Sequence, residues 1–330
     1  MLRLIALFIV LPMMAAAQCV GPSFIDDLST ADRAALNARA AATPFGTGLE
    51  WTAQRDGVTI TIVGTMHLPD PRHEVLRAVM RRPLSQADLL LVEATLDDQT
   101  DLQRYMADNP DLLAITTGPT LPERLDEATW DAIRQAAADR SIPSFMAAKM
   151  QPWFLTMTLA LPPCAMLAMA QGGAGLDTLL MQDAADLGVP TAPLEPWQDT
   201  FALLSGGTFD EQMAALQMAL IDADDQNALI VALTEFYFAG MTAHSWHIAG
   251  FTHQLLSDDI DKATFDAQMV QMEQDLLVTR NRNWIPVIEA AAAEHDRIVA
   301  AFGAAHLIGQ DGVLALLDQN GWVVTPRDAF

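Results

Sequence analysis

Val58 to Pro71 reads VTITIVGTMHLPDP. Every residue from Val58 to Val63 is β-branched. Such side chains fit a pleated strand, and so uniform a run suits a central strand covered on both faces. The run ends at Gly64, and His67 follows after two more residues. Just upstream, Trp51 to Arg55 and the dipeptide Asp56-Gly57 complete a hairpin. Asp-Gly between two strand-like runs is a strong turn signal.

The same arrangement returns near the other end of the chain. Arg297 to Phe302 is an apolar run, then come Gly303, two residues and His306. Two further short runs end beside a carboxylate. Asp88 to Val92 leads into Glu93, and Val189 to Leu194 leads into Glu195, although Pro190 and Pro193 weaken the second as a strand. Gly321 to Thr325 reads as a last strand. Helical patterns cover Ile25 to Ala42, His73 to Arg82, Gly175 to Leu187 and Asp311 to Gln319, the third closed by Gly188. Two long helical regions remain. Thr100 to Gln151 is broken at Gly118-Pro119 and Pro143, and Phe209 to Glu294 divides into three or four helices. Strands separated by helices predict an α/β (α+β) fold. The expected architecture is a mixed, largely parallel central sheet covered by helices, in one domain over 18–330 with helical insertions at about 100–171 and 209–294.

Composition narrows the function classes. The chain has 330 residues, 51% of them hydrophobic, which supplies a large core. A formal net charge of -24 argues against nucleic acid and anionic membrane surfaces as partners. Met1 to Ala17 has the form of an export signal, with a basic start, an apolar stretch from Leu4 to Met14 and small residues before Gln18. A periplasmic or secreted protein is therefore expected, and in that compartment Cys19 and Cys164 can pair. Trp153 to Ala170 is apolar enough for a membrane span, but Pro162-Pro163 breaks it, which predicts two buried helical pieces instead. No Gly-x-Gly-x-x-Gly follows a strand and there is no Walker loop. Gly172-Gly173-Ala174-Gly175 follows a helical stretch, so the common nucleotide-binding readings fall away.

The chemistry is expected where the strands end. His67, Glu93, Glu195 and His306 each stand at, or just after, the carboxyl end of a predicted strand, the place where open α/β sheets bind ligands. On parallel neighbouring strands the four would converge. Two imidazoles and a carboxylate can hold a divalent transition metal such as zinc and leave a position for water, while a second carboxylate takes its proton. Which glutamate does which stays open. Gly64 and Gly303 would let the chain leave its strand sharply and bring backbone close to the site. The competing reading is a pair of buried histidines bonded to backbone carbonyls. Arg280 fits either a substrate-binding cation or a surface ion pair. His244, His247 and His253 read as a wet helix face, with a metal or haem site as the alternative, and His73 and His295 as helix-surface residues. The 17 methionines fill the core or line an adaptable groove for a hydrophobic peptide.

Five stretches together resemble the TraB/GumN family, related to the TIKI metalloproteases. They are VGTMHLPDP (Val63 to Pro71), LLLVEA (Leu89 to Ala94), GLDTLLMQDAADLGVPTAPLE (Gly175 to Glu195), TRNRNW (Thr279 to Trp284) and GAAHLIGQDGVLALLDQNGWVV (Gly303 to Val324). The resemblance runs from about Trp51 to Thr325 and is weak between Thr100 and Gln171. It implies that His67 and His306 are the paired motif histidines and that Glu93 and Arg280 match the acidic and basic site positions. It also implies a divalent metal, manganese or cobalt in the TIKI branch, and proteolysis of a peptide or protein substrate. The combined expectation is a metal-dependent hydrolase with His67, Glu93 and His306 on the metal. Glu195 would serve as base or as partner to a ligand, and Arg280 would hold a substrate or intermediate oxyanion. The alternative is a periplasmic binding protein for metal, haem or peptide, without turnover.

Overall fold

The computed structural model describes residues 19–256 and 260–327, and the expected export signal lies outside them. Strands β1 (Glu50–Arg55) and β2 (Val58–Thr65) form the expected hairpin, with Arg55 paired to Val58. Asp56 and Gly57 both take positive φ, 51° and 91°, as a tight two-residue hairpin turn requires. Then follow β3 (Leu89–Val92), β4 (Thr191–Pro193), β5 (Arg297–Gly303) and β6 (Val323–Pro326). They make one six-stranded sheet in the order β4-β3-β5-β2-β1-β6. The three pairings β4–β3, β3–β5 and β5–β2 are parallel, and β2–β1 and β1–β6 are antiparallel. The fold is the mixed, largely parallel α/β sheet that the strand and helix order predicts.

Both faces of the parallel part are covered. Leu89, Leu91, Ile298, Ala300 and Phe302 face a core shared with Trp284, Ile288, Leu314 and Leu317, on helices 279–294 and 313–319. Their sequence neighbours Leu90, Val92, Val299 and Ala301 face the opposite core, with Leu76 and Met80 of helix 73–85 and Leu176, Leu180 and Met181 of helix 176–187. The two-residue period of a strand thus feeds two cores at once. Arg77 joins those last two helices through two hydrogen bonds to Asp183, at 2.8 and 2.7 Å.

Several expectations need correcting. The helix drawn from Ile25 to Ala42 is two, Phe24–Asp27 and Thr30–Ala42, because the Ser29 hydroxyl accepts the Asp32 N–H and caps the second. The strand drawn from Val189 to Leu194 is only Thr191–Pro193 and forms the sheet edge, where a proline removes no needed donor. Among its described residues the region 209–294 holds five α-helices, 209–219, 223–238, 242–247, 262–273 and 279–294, rather than three or four. The last two are joined by a π-turn, Gln274–Val278. His73 is not on the surface. It is fully buried between Tyr237 and Phe238, with Nε2 at 2.8 Å from the Leu68 carbonyl.

The apolar stretch 153–170 is two helices, Pro152–Leu159 and Pro163–Ala170, bent by 90°. Only one side of them is buried. Leu155, Leu159, Ala165 and Ala168 are covered, whereas Met157, Leu167 and Met169 are exposed. Among the described residues no single helix is long and apolar enough to cross a membrane. The two insertions also share a core: Leu121, Ile133, Leu155 and Leu159 of the first pack with Met213 and Leu216 of the second. Cys19 and Cys164 are joined in a disulfide.

Candidate functional site

Because β4, β3, β5 and β2 are parallel neighbours, their carboxyl ends share one edge. Glu195, Glu93, His306 and His67 follow those ends in that order along the edge. A Cβ placed on Gly303 would stand 3.2 Å from Glu93 Oε1, 3.5 Å from His306 Cδ2 and 3.9 Å from His67 Nε2. The three side chains therefore meet around one point of backbone. A side chain on Gly303 would press on the Glu93 carboxylate, and the Gly303 N–H donates to Glu93 Oε1 at 2.7 Å. Gly64 has a different role from the one expected. It lies inside β2, and a Cβ there would be 2.6 Å from Leu307 Cδ1 and 3.0 Å from Ala304 Cα. It admits the His306 turn against the strand.

Arg280 is the centre of the cluster. Its Nη2 donates to Glu93 Oε2 at 2.7 Å and to Glu195 Oε1, which also receives Nε–H at 2.9 Å. Nη1 donates to the Leu276 carbonyl at 3.1 Å and faces His306 Nε2 at 3.3 Å. A guanidinium has five N–H donors, and all five are used. In this arrangement Arg280 therefore has no free donor, and its guanidinium lies between Glu93 and Glu195. Glu195 is equally engaged. Oε1 also accepts from Thr200 Oγ1 at 2.7 Å and Oε2 from Trp284 Nε1 at 3.0 Å. Oε1 thus takes three bonds and Oε2 one, and the carboxylate is engaged mainly with Arg280.

His306 has its state set by its partners. Arg280 can only donate, so Nε2 accepts, and Nδ1–H donates to Asn281 Oδ1 at 2.6 Å. Asn281 is oriented by its own donation to the Asp311 carbonyl at 2.9 Å. Trp284 lies against the imidazole, ring centres 4.3 Å apart. Burial lowers the His306 pKa to about 4, the pull of Glu93 opposing and the charge of Arg280 assisting. His306 is neutral at neutral pH. Glu93 is the reverse case. Burial opposes its ionisation, but the charges of His306, His67 and Arg280 and the Gly303 N–H bring it to about 2. With His306 neutral, the other three groups maintain that direction.

His67 stands at the open side. Its Nδ1 lies 3.1 Å from Asp177 Oδ1 and its Nε2 3.9 Å from Glu93 Oε1, and 63% of its side chain is exposed. Desolvation would lower its pKa. The close contact with Asp177 and the charges of Glu93 and Asp177 outweigh that and raise it to about 9, with solvent on the open side screening part of the pull. Asp177 was not singled out by the sequence pattern. It sits in the first turn of helix 176–187, where an aspartate is commonplace. What places it is the glycine-rich stretch before it. A Cβ on Gly175 would fall 2.5 to 2.6 Å from His67 O, C and Cα, and one on Gly173 would fall 2.7 Å from Pro69 Cβ. Leu176 N–H also donates to the Met66 carbonyl at 3.0 Å. The glycines dock a helix onto the His67 turn.

The metal expectation can be tested on these donors. His67 fits, since its Nδ1 is held by a carboxylate and its Nε2 faces Glu93, the usual arrangement of a ligating histidine. His306 does not, since both its nitrogens are turned to Asn281 and Arg280. The guanidinium occupies the ground between the two glutamates and His306. Among the described residues no group of three His, Cys, Asp or Glu is arranged to hold a metal ion. In this arrangement Glu93 and His306 are turned to Arg280, so the expected ligands His67, Glu93 and His306 would have to displace the guanidinium to share an ion. The second histidine group has separate partners. His244 faces Asn37, His247 faces Thr43 and His253 faces the Ile260 carbonyl, each separately.

The polar cluster closes one end of a cavity of about 380 Å³. Its other walls come from helices 96–108, 152–159 and 197–205, with Met106, Trp153, Phe154, Met157, Trp197 and Phe201 among the lining residues. An α/β sheet with ionisable side chains gathered at one carboxyl edge, under a helical roof, is the class of protein these features define. The chain belongs to the TraB/PrgY/gumN family, whose sequence model matches residues 49–326. No curated protein matches it.

Proposed function

We propose that the chain is a hydrolase of peptide bonds acting through His67 and Glu93. The carrying observation is that His67 and Glu93 face each other at 3.9 Å in the cavity lining, while Arg280 has every donor engaged and His306 is turned to Asn281 and Arg280. Amide hydrolysis needs a base for the attacking water and an acid for the departing nitrogen. Glu93, ionised above about 2, is the base, and its orientation comes from Gly303 and Arg280. His67, protonated up to about 9 and steadied by Asp177, is the acid. Water adds to the carbonyl carbon as the carbon–nitrogen bond breaks. One proton goes from water to Glu93 and another from His67 to the leaving amine. The disulfide supports work in an oxidising compartment, periplasmic or extracellular.

The test is digestion of a peptide library, with chelator and with added manganese, cobalt or zinc. Cleavage is expected in chelator, and His67→Ala or Glu93→Gln should lower it on the order of 100-fold or more. A strict need for an added ion would overturn the metal-independent part. Failure to cleave any peptide under any of these conditions would leave the second reading, a peptide-binding protein without turnover. The engagement of every Arg280 donor within the protein is the observation that favours it.

A further inference from the structure

We propose that the helical roof forms a subsite for one bulky apolar or aromatic side chain, on the residue flanking the bond to be cleaved. This rests on the reading of His67 and Glu93 as the reacting end. The chain carries 42 acidic residues, yet away from the cluster at its floor the cavity is lined without a single charge. The lining polar groups there are few. Trp153 spends its indole N–H on the Leu112 carbonyl at 2.9 Å and Thr200 spends its hydroxyl on Glu195, so neither is left to bind a ligand. Gln99 and the Trp197 indole are the other neutral polar groups of that lining, and the remainder is ring faces and edges with aliphatic carbon. Phe201 stands edge-on to Trp153 at 5.5 Å and to Trp197 at 6.3 Å, and Tyr105 packs beside both Trp197 and Phe201.

Edge-to-face rings of this kind hold a fixed shape and accept another ring in the same geometry. A charged side chain would enter without a partner, which the absence of lining charges makes costly. Met106 and Met157, on helices 96–108 and 152–159, supply flexible contacts that adjust to aromatic or long aliphatic groups. A volume of about 380 Å³ suits one large side chain and the peptide that carries it. The cavity is continuous with His67 and Glu93, so a side chain seated against Phe201 leaves its own backbone at the polar floor.

Binding can be read apart from turnover. The intact chain is titrated with N-acetyl amides of phenylalanine, glycine and aspartate, followed by tryptophan fluorescence. The phenylalanine amide should bind at least about tenfold more tightly than the other two. Phe201→Ala should remove that preference. Met157→Lys, at an exposed rim position, should weaken phenylalanine amide binding while leaving the unfolding midpoint in place. Equal affinity for the three amides, no binding of any, or a preference surviving both variants would overturn the subsite. A library digest separates the two ideas. Selective binding with no cleavage sinks the hydrolase reading and keeps the subsite. Cleavage with no preference for apolar flanking residues does the opposite.

Discussion

Gly175 shows how much of the site hangs on a missing methyl group. Its backbone is ordinary, with φ of -72°. An alanine there would drive Cβ into the backbone of His67 at 2.5 to 2.6 Å, and backbone cannot step aside. Gly175→Ala should cost about 1–3 kcal/mol as an overpacked contact. It should also lift Asp177 away from His67. Followed by NMR, the His67 titration should fall from about 9 toward its ordinary 6.5. Gly188→Ala is the control. Its φ is 71° with nothing within 4 Å of a Cβ, so it should lose stability with no change at His67. An unmoved His67 titration in Gly175→Ala would break the link. His73 gives a second residue-scale prediction. Burial lowers its pKa, so the folded state binds fewer protons than the unfolded one below 6.5. Stability then rises with pH through that window and is lost as pH falls. Thermal midpoints between pH 5 and 7 should slope less steeply in His73→Gln, which keeps a donor for the Leu68 carbonyl. An identical slope would assign the effect to other groups, His247 among them. The same scale shows what the sequence discloses. His67, Glu93, Glu195 and His306 are legible because each follows a strand. The roles of Arg280 and Glu195 are not, because saturation of donors and acceptors is a property of three-dimensional neighbours.

Elements were legible where a local rule decides them and obscure where packing does. The β1–β2 hairpin follows from Asp-Gly alone. The π-turn at Gln274–Val278 does not, since no residue type demands it, yet it lies directly ahead of Arg280 and its Leu276 carbonyl binds that side chain. The methionines divide similarly: Met80, Met181 and Met213 fill cores, while Met106 and Met157 line the cavity. Two helices, 73–85 and 176–187, carry the support of the His67 turn, and the Arg77–Asp183 pair clamps them together. Asp183 is buried, whereas Arg77 keeps 23% of its side chain exposed. Arg77→Ala leaves that carboxylate unpaired and should cost about 2–3 kcal/mol in urea unfolding, reduced from a fully buried pair by the partial exposure. Adding Asp183→Leu to Arg77→Ala should restore part of the loss, because an apolar group needs no partner. If the double variant is as unstable as the sum of the two singles, the clamp contributes nothing as a pair.

On the scale of the whole molecule, strand order is the feature that no local pattern contains. The chain visits β2, then β3, then the edge β4, and returns to insert β5 between β3 and β2. That insertion is what brings four distant sequence positions onto one edge. The disulfide works on the same scale. Cys19 and Cys164 stand 145 residues apart in sequence, and Cys19 shares a small cavity with Leu68, Pro69 and Asp70, just beyond His67. The bond thus staples the start of the described chain beneath the turn that carries the proposed acid. A loop of that size lowers the entropy of the unfolded chain, and its closure should contribute about 2–4 kcal/mol. Reductant should lower the urea midpoint of the wild-type chain by a corresponding amount and leave Cys164→Ser unmoved. Amide exchange at Leu68 to Arg72 should speed up in the reduced protein more than exchange in β3 or β5. Unaltered exchange at the His67 turn, together with a lowered midpoint, would confine the staple to global stability and detach it from the site.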